Sequence, residues 1–197
     1  FRKRRGGKRT LGSPNKKFEE TTLSVEPIYN GRIISLEQIE VRLPDGRTAK
    51  REIVRHPGAV AVLAIEGDRI IVVEQFRKPL EKSQVEIPAG KLDPGEDPEE
   101  AARRELAEET GYTCGKIRHL CSFYTSPGFA DELLHLYVAE DLSPGKTRPD
   151  EDEFIDCFSV TPEEAKALIR EGRISDAKTI LAVYAWELYR LTGSIGT

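Results

Sequence analysis

Methionine is missing from this 197-residue chain, position 1 included, which reads as a processed or truncated chain. Aromatic residues make up only 7% of it, with a single tryptophan. No stretch approaches the roughly 18 apolar residues that a membrane span needs, and no apolar segment follows the charged N-terminus as a secretory signal requires. A soluble, cytoplasmic protein is therefore expected. Cysteine is sparse and odd in number: Cys114, Cys121 and Cys157 form no C-x-x-C pair. That excludes a disulfide framework and a zinc site and leaves three reduced thiols. Acid is absent from residues 1–17, which hold eight of the 30 Lys and Arg, so the rest of the chain carries a net −12. Residues 1–17 have no periodicity and read as a flexible basic tail, the alternative being a nucleic-acid or targeting arm. A body this acidic attracts a polyanion only with a counter-charge such as a divalent metal.

What is present is one globular domain's worth of chain, residues 18–197, with 38% hydrophobic and 32% charged residues. Ile39, Val41 and Leu43 alternate with polar neighbours up to Pro44-Asp45-Gly46, and an extended run through Val54 follows, which predicts a hairpin. Ala59–Ile65 and Ile70–Val73 are nearly continuous apolar runs of the kind that form strands buried on both faces. Further strands are expected at 84–88, 117–124, 133–138 and 154–160. Thr161, Pro162 and Glu164 open a helix with a capping box, and Gly172 closes it. A last helix over about 177–191 carries Ile180, Leu181, Tyr184, Leu188 and Leu191 at helical spacing and is expected to cover the core. Strands with interspersed helices indicate an α+β fold, a sheet between helical layers.

The informative segment runs from Gly90 to Tyr112. Asp97 is suited to cap a helix, Pro98 to its first position and Gly111 to its exit, so a helix is predicted over about 98–110. Ala102, Leu106 and Thr110 share one face. Glu105, Glu108 and Glu109 share another, where like charges three and four residues apart repel by a few tenths of a kcal/mol per pair on an isolated helix. Arg104 can partner only some of them. A hard divalent cation with oxygen ligands would reverse the sign; a solvated acidic face is the alternative.

Gly90, Glu96, Arg104, Glu105, Leu106, Glu108, Glu109, Gly111 and Tyr112 resemble, position for position, the Gly-x5-Glu-x7-Arg-Glu-aliphatic-x-Glu-Glu-x-Gly-hydrophobic signature of the Nudix hydrolase family. The resemblance implies an α/β/α sandwich with a mixed β-sheet and Mg²⁺-dependent hydrolysis of a diphosphate linked to another group, Mn²⁺ being a possible substitute. Outside the signature, Pro127 in Tyr124-Thr125-Ser126-Pro127-Gly128, Glu74-Gln75-Phe76-Arg77 and Glu86-Ile87-Pro88-Ala89-Gly90 resemble the ADP-ribose pyrophosphatases. The Phe-Pro-Gly-Gly of coenzyme A hydrolases and the Ser-Gln-Pro-Trp-Pro-Phe-Pro run of NADH diphosphatases are absent. The implied reaction is hydrolysis of ADP-ribose to AMP and ribose 5-phosphate. Another nucleoside diphosphate sugar such as GDP-mannose is the alternative substrate, and a non-catalytic nucleotide sensor the alternative class.

Roles follow from the same resemblance. Glu105, Glu108, Glu109, the carbonyl of Ala89 and Glu153 would hold metal, and Glu151 would act as general base. The Glu151 and Glu153 assignments are interchangeable, because the length of that loop varies in the family. Arg51 and Arg77 would bind the diphosphate and Glu132 the terminal ribose, while Gly90, Glu96, Arg104 and Gly111 would brace the motif. A homodimer is implied, in which the N-terminal strands, about residues 23–55, cross to the partner and Arg51 acts there. Neither a membrane nor a nucleic acid is expected as a partner.

Overall fold

The computed structural model describes residues 16–147 and 154–193. The predicted Glu151 and Glu153 lie outside these residues. The chain begins with an antiparallel three-stranded sheet, β1 (Thr21–Asn30), β2 (Ser35–Arg42) and β3 (Thr48–Arg55), in that spatial order. The predicted hairpin is the β2–β3 pair, in register from Ser35 opposite Arg55 to Arg42 opposite Thr48. Gly46 takes φ +89°, a conformation that suits its turn. β1 was not delineated by pattern: all ten of its residues are exposed, so its apolar positions show no inside and outside.

A seven-stranded mixed sheet follows. Its strands are β4 (Ala59–Glu66), β5 (Arg69–Arg77), β6 (Lys82–Glu86), β7 (Ala89–Lys91), β8 (Thr113–Tyr124), β9 (Leu133–Ser143) and β10 (Asp156–Val160). The main path runs β10-β5-β4-β9-β8, with β6 on β5 and β7 on β4. The β4–β9 pair is parallel and the others are antiparallel. β4 and β5 are buried on both faces, as their unbroken apolar runs require.

Helix α1 (Pro98–Thr110) covers one face of the sheet with Ala101, Ala102 and Leu106 against Val60, Val62 and Ile71. Helices α2 (Pro162–Arg170) and α3 (Ala177–Thr192) cover the other with Ala165, Leu168, Ala182, Val183 and Trp186 against Leu63, Ile70 and Val72. This is the expected α/β/α sandwich. The α2 capping box forms in full. Helix α3 covers the core as expected, but of the five positions named for it only Ile180 packs there: Leu181, Tyr184, Leu188 and Leu191 are exposed, and Ala182, Val183 and Trp186 supply the buried contacts. Both sets have helical spacing, and periodicity alone does not say which face meets a sheet. Among the described residues no helix is long and apolar enough to cross a membrane.

The small sheet joins the large one where β3 ends. Val54 N–H donates to Phe129 O at 2.8 Å, Arg55 pairs with Asp131 at 3.0 Å, and His56 N–H donates to the same carboxylate at 2.9 Å. These bonds bring the 125–132 loop to the mouth of the site.

Candidate active site

Helix α1 presents the acidic cluster because both of its ends are specified. Asp97 accepts from Glu99 N–H at 2.9 Å, Pro98 supplies the first turn without an orphan donor, and Gly111 closes the helix at φ +75°. With Ala101, Ala102 and Leu106 fixed on β4 and β5, Glu109 turns inward. It is 3% exposed, and its Oε2 accepts the N–H of Ala89 at 2.9 Å. Glu105 lies on the neighbouring residue: a Cβ added to Gly90 would meet Glu105 Oε1 at 1.9 Å. Only glycine allows that approach. Two carboxylates thus rest on consecutive residues of β7.

Glu108 faces outward. It meets Arg104 Nη1 at 3.0 Å, and the same nitrogen donates to Glu105 Oε1 at 2.7 Å. The rest of the Arg104 fork holds Glu96, Nε to Oε1 at 2.8 Å and Nη2 to Oε2 at 2.9 Å. The Arg104 guanidinium holds the Glu96 carboxyl down to about 2, aided by the Asp93 N–H that bonds it. Arg104 therefore offsets the repulsion between Glu105 and Glu108 and ties the 93–96 turn to the helix.

A cavity of about 620 Å³ opens beside Ala89 and Gly90. Its wall includes Arg77, Glu86 and Glu132, and Asp176 and Lys178 from the start of α3. Glu132 accepts from the Thr125 hydroxyl and lies 3.7 Å from His56 Nε2. Arg77 is forked onto Glu86 through Nε at 2.7 Å and Nη2 at 2.8 Å. Burial pushes the pKa of the Glu86 carboxyl up, but Arg77 and Lys178 outweigh it and hold the carboxyl down to about 2.

Of the residues expected to bind substrate, Arg77 and Glu132 are in the cavity wall and Arg51 is not. Arg51 lies on β3, its Nε donating to Glu20 at 3.0 Å and its Nη1 to Lys50 O at 3.1 Å. Sequence reasoning assigned no role to Glu86, His56, Asp176 or Lys178. Glu86 opens the Glu86-Ile87-Pro88-Ala89-Gly90 segment with no basic partner beside it in sequence, and Lys178 looks like any helical surface lysine. Their association joins residues about 90 positions apart, which no local pattern records.

Among the described residues no three His, Cys, Asp or Glu side chains close into a metal cage by themselves. The donors present nevertheless suit a hard cation. Two carboxylates and a backbone carbonyl are all oxygen ligands, and Mg²⁺ ordinarily takes one or two carboxylates and completes its shell with water and substrate phosphate. The glycine cradle under Glu105 and the burial of Glu109 keep these donors beside the cavity.

A family model described as NUDIX domain matches residues 54–183. The chain is 57% identical over 176 residues to the methanol dehydrogenase activator of Bacillus methanolicus, covering 88% of this chain and 95% of that one. It is 52% identical to the ADP-ribose pyrophosphatase of Bacillus subtilis, with the same coverage. A GDP-mannose pyrophosphatase of Escherichia coli is more distant, at 31% identity over 83% of this chain and 93% of that one. A crystal structure described as an ADP compounds hydrolase superposes with a TM-score of 0.78, covering 89% of this chain and 96% of that one, at 24% identity. That likeness shows the shared fold.

Proposed function

The chain belongs to the NUDIX family, and from that premise we propose that it is a metal-dependent ADP-ribose diphosphatase, cleaving ADP-ribose to AMP and ribose 5-phosphate. The observation that carries the chemistry is the seating of Glu105 and Glu109 on Gly90 and Ala89 at the edge of a cavity that also contains Arg77. The substrate rests on the 52% identity to an ADP-ribose pyrophosphatase across nearly the whole of both chains. GDP-mannose is the second choice, its hydrolases being the more distant relatives.

Mg²⁺, with Mn²⁺ as a substitute, would lower the pKa of the attacking water and neutralise charge on the diphosphate oxygens. Glu105, Glu109 and the Ala89 carbonyl would hold it, with Glu108 and Glu153 as further ligands. Glu151 takes the proton from the attacking water. The Arg77 guanidinium binds the diphosphate, its planar fork matching phosphate oxygens. Glu132 accepts hydrogen bonds from the terminal ribose hydroxyls. Gly90, Glu96, Arg104 and Gly111 act on the substrate only by keeping α1 and β7 in place.

Arg51 is absent from the wall of this cavity, so the proposal includes a homodimer formed through the N-terminal strands, in which Arg51 would serve the partner's site. Exposed Leu23, Val25, Ile28 and Tyr29 on β1 supply the apolar contact surface for it. The three cysteines are free, which suits a reducing cytoplasm.

The test is a panel with product identification: ADP-ribose with Mg²⁺ beside NADH, FAD, GDP-mannose and diadenosine polyphosphates. AMP released fastest from ADP-ribose is expected, and faster turnover of any other compound overturns the substrate assignment. Glu151→Gln should lower turnover by about 10² to 10⁴ while leaving metal and substrate affinity in place, the scale of a lost general base. A larger loss in Glu153→Gln at unchanged metal affinity would exchange the two roles. A non-catalytic nucleotide sensor predicts nucleotide binding without product.

A further inference from the structure

The end of β6 and the loop before α3 are joined by alternating hydrogen bonds. Ser175 Oγ donates to Gln84 Oε1 at 2.6 Å, Val85 N–H to Arg173 O at 2.9 Å, and Ile87 N–H to Thr179 Oγ1 at 3.1 Å. Gln84 and Thr179 are fully buried, so the register between the two segments is set. In that register Glu86 faces Lys178. Glu86, 2% exposed, receives Arg77 on both of its oxygens and Lys178 Nζ on Oε2. Lys178, its side chain 13% exposed, also donates to Asp176 Oδ1 at 3.0 Å, and that oxygen caps α3 through Thr179 N–H. The second oxygen, Asp176 Oδ2, is buried with no hydrogen-bond partner. Four charges therefore form one chain in the cavity wall, Arg77–Glu86–Lys178–Asp176.

The Arg77–Glu86 contact uses the Nε–Nη2 edge of the guanidinium. A long side chain at the end of a strand loses rotamer freedom when it is fixed, so an arginine held this way presents its Nη1 end without ordering itself at each binding event. A carboxylate that held Arg77 alone would itself be free to turn. Glu86 is prevented from turning because Lys178, carried on a capped helix, engages one of its oxygens. We propose that Lys178, acting through Glu86, is a positioning residue that presents Arg77 to the substrate diphosphate. The proposal rests on the reading of this cavity as a nucleoside diphosphate site.

The test is a double-mutant cycle on Lys178→Gln and Arg77→Gln, read as KM and kcat for ADP-ribose and as the affinity for inorganic pyrophosphate by calorimetric titration. Lys178→Gln is expected to raise KM and weaken pyrophosphate binding about tenfold with kcat within about twofold, and to add less than about twofold when Arg77 is already glutamine. Lys178→Arg should restore most of the loss. Unchanged KM and pyrophosphate affinity in Lys178→Gln overturn the proposal. Its full effect persisting in the Arg77→Gln background also overturns it, because Lys178 would then act on the substrate directly or on the fold as a whole. Lys178→Met, which keeps the buried stem, takes the place of a glutamine variant that does not fold. If the wild type hydrolyses another substrate but not ADP-ribose, the substrate assignment fails, and the cycle is still decided by pyrophosphate affinity.

Discussion

Arg104 spends its donors on three carboxylates and the Lys91 carbonyl, a use that depends on guanidinium geometry. Its fork on Glu96 sets a pH dependence. A carboxyl held near 2 in the folded chain, against an ordinary value of 4.5, contributes stability that is complete above about pH 5 and lost as pH falls from about 4.5 towards 2. Acid unfolding followed by circular dichroism should therefore lose part of its slope in that window in Glu96→Gln, together with a lower Tm at neutral pH. Glu109 invites a different measurement. It is the buried member of the acidic cluster, and Glu109→Gln should lose divalent-metal affinity in calorimetry and nearly all turnover. Activity like the wild type at saturating Mg²⁺ would exclude it as a ligand.

At the scale of elements, the β7–α1 unit shows why glycine stands at position 90. Gly90→Ala would drive a methyl group into the Glu105 carboxylate. Because that obstacle is the far end of a side chain, the fold should survive with a Tm within a few degrees. Metal affinity and kcat should fall together, by about 10-fold or more, as Glu105 is displaced. This element was legible in the sequence almost to the residue, since Asp97, Pro98 and Gly111 are local signals that act through the backbone of their own turn. Helix α3 was legible in extent but not in orientation. It has apolar residues on two faces, and the sheet takes the one carrying Ala182, Val183 and Trp186. β1 offered less still. Its pairing with β2 is interrupted by register shifts on both sides of its centre, Pro27 lies within it, and none of its residues is buried.

For the whole molecule, the exposed apolar positions of β1 bear on assembly. If the proposed homodimer forms through β1, Val25→Lys together with Ile28→Lys should leave the secondary structure intact and shift sedimentation velocity from dimer to monomer. If Arg51 works across that boundary, KM for ADP-ribose should rise in the same variant. A dimer unaffected by these charges would exclude β1 as its interface. The charge distribution acquires a place at this scale too. Part of the net −12 outside the basic tail gathers on α1, where Arg104 balances Glu105 and Glu108 and leaves Glu109 buried against Ala89. An acidic body would be compatible with the proposed doubly anionic substrate, because a divalent cation at those oxygens would change the sign of the local field.

Local sequence is enough to define the acidic helix, its caps, the two strands buried on both faces, the α+β class and the family signature. Each of these is written in residues within one or two turns or strand repeats of one another, where backbone geometry converts spacing into shared faces. Long-range packing, by contrast, brings Arg77 and Glu132 into one cavity while Arg51 stands apart on Glu20, turns the Trp186 face of α3 inward, and lets Glu86 join Arg77 to Lys178. Those contacts join segments separated by tens of residues, and their partners are selected by how sheets and helices pack, a choice that no local pattern encodes.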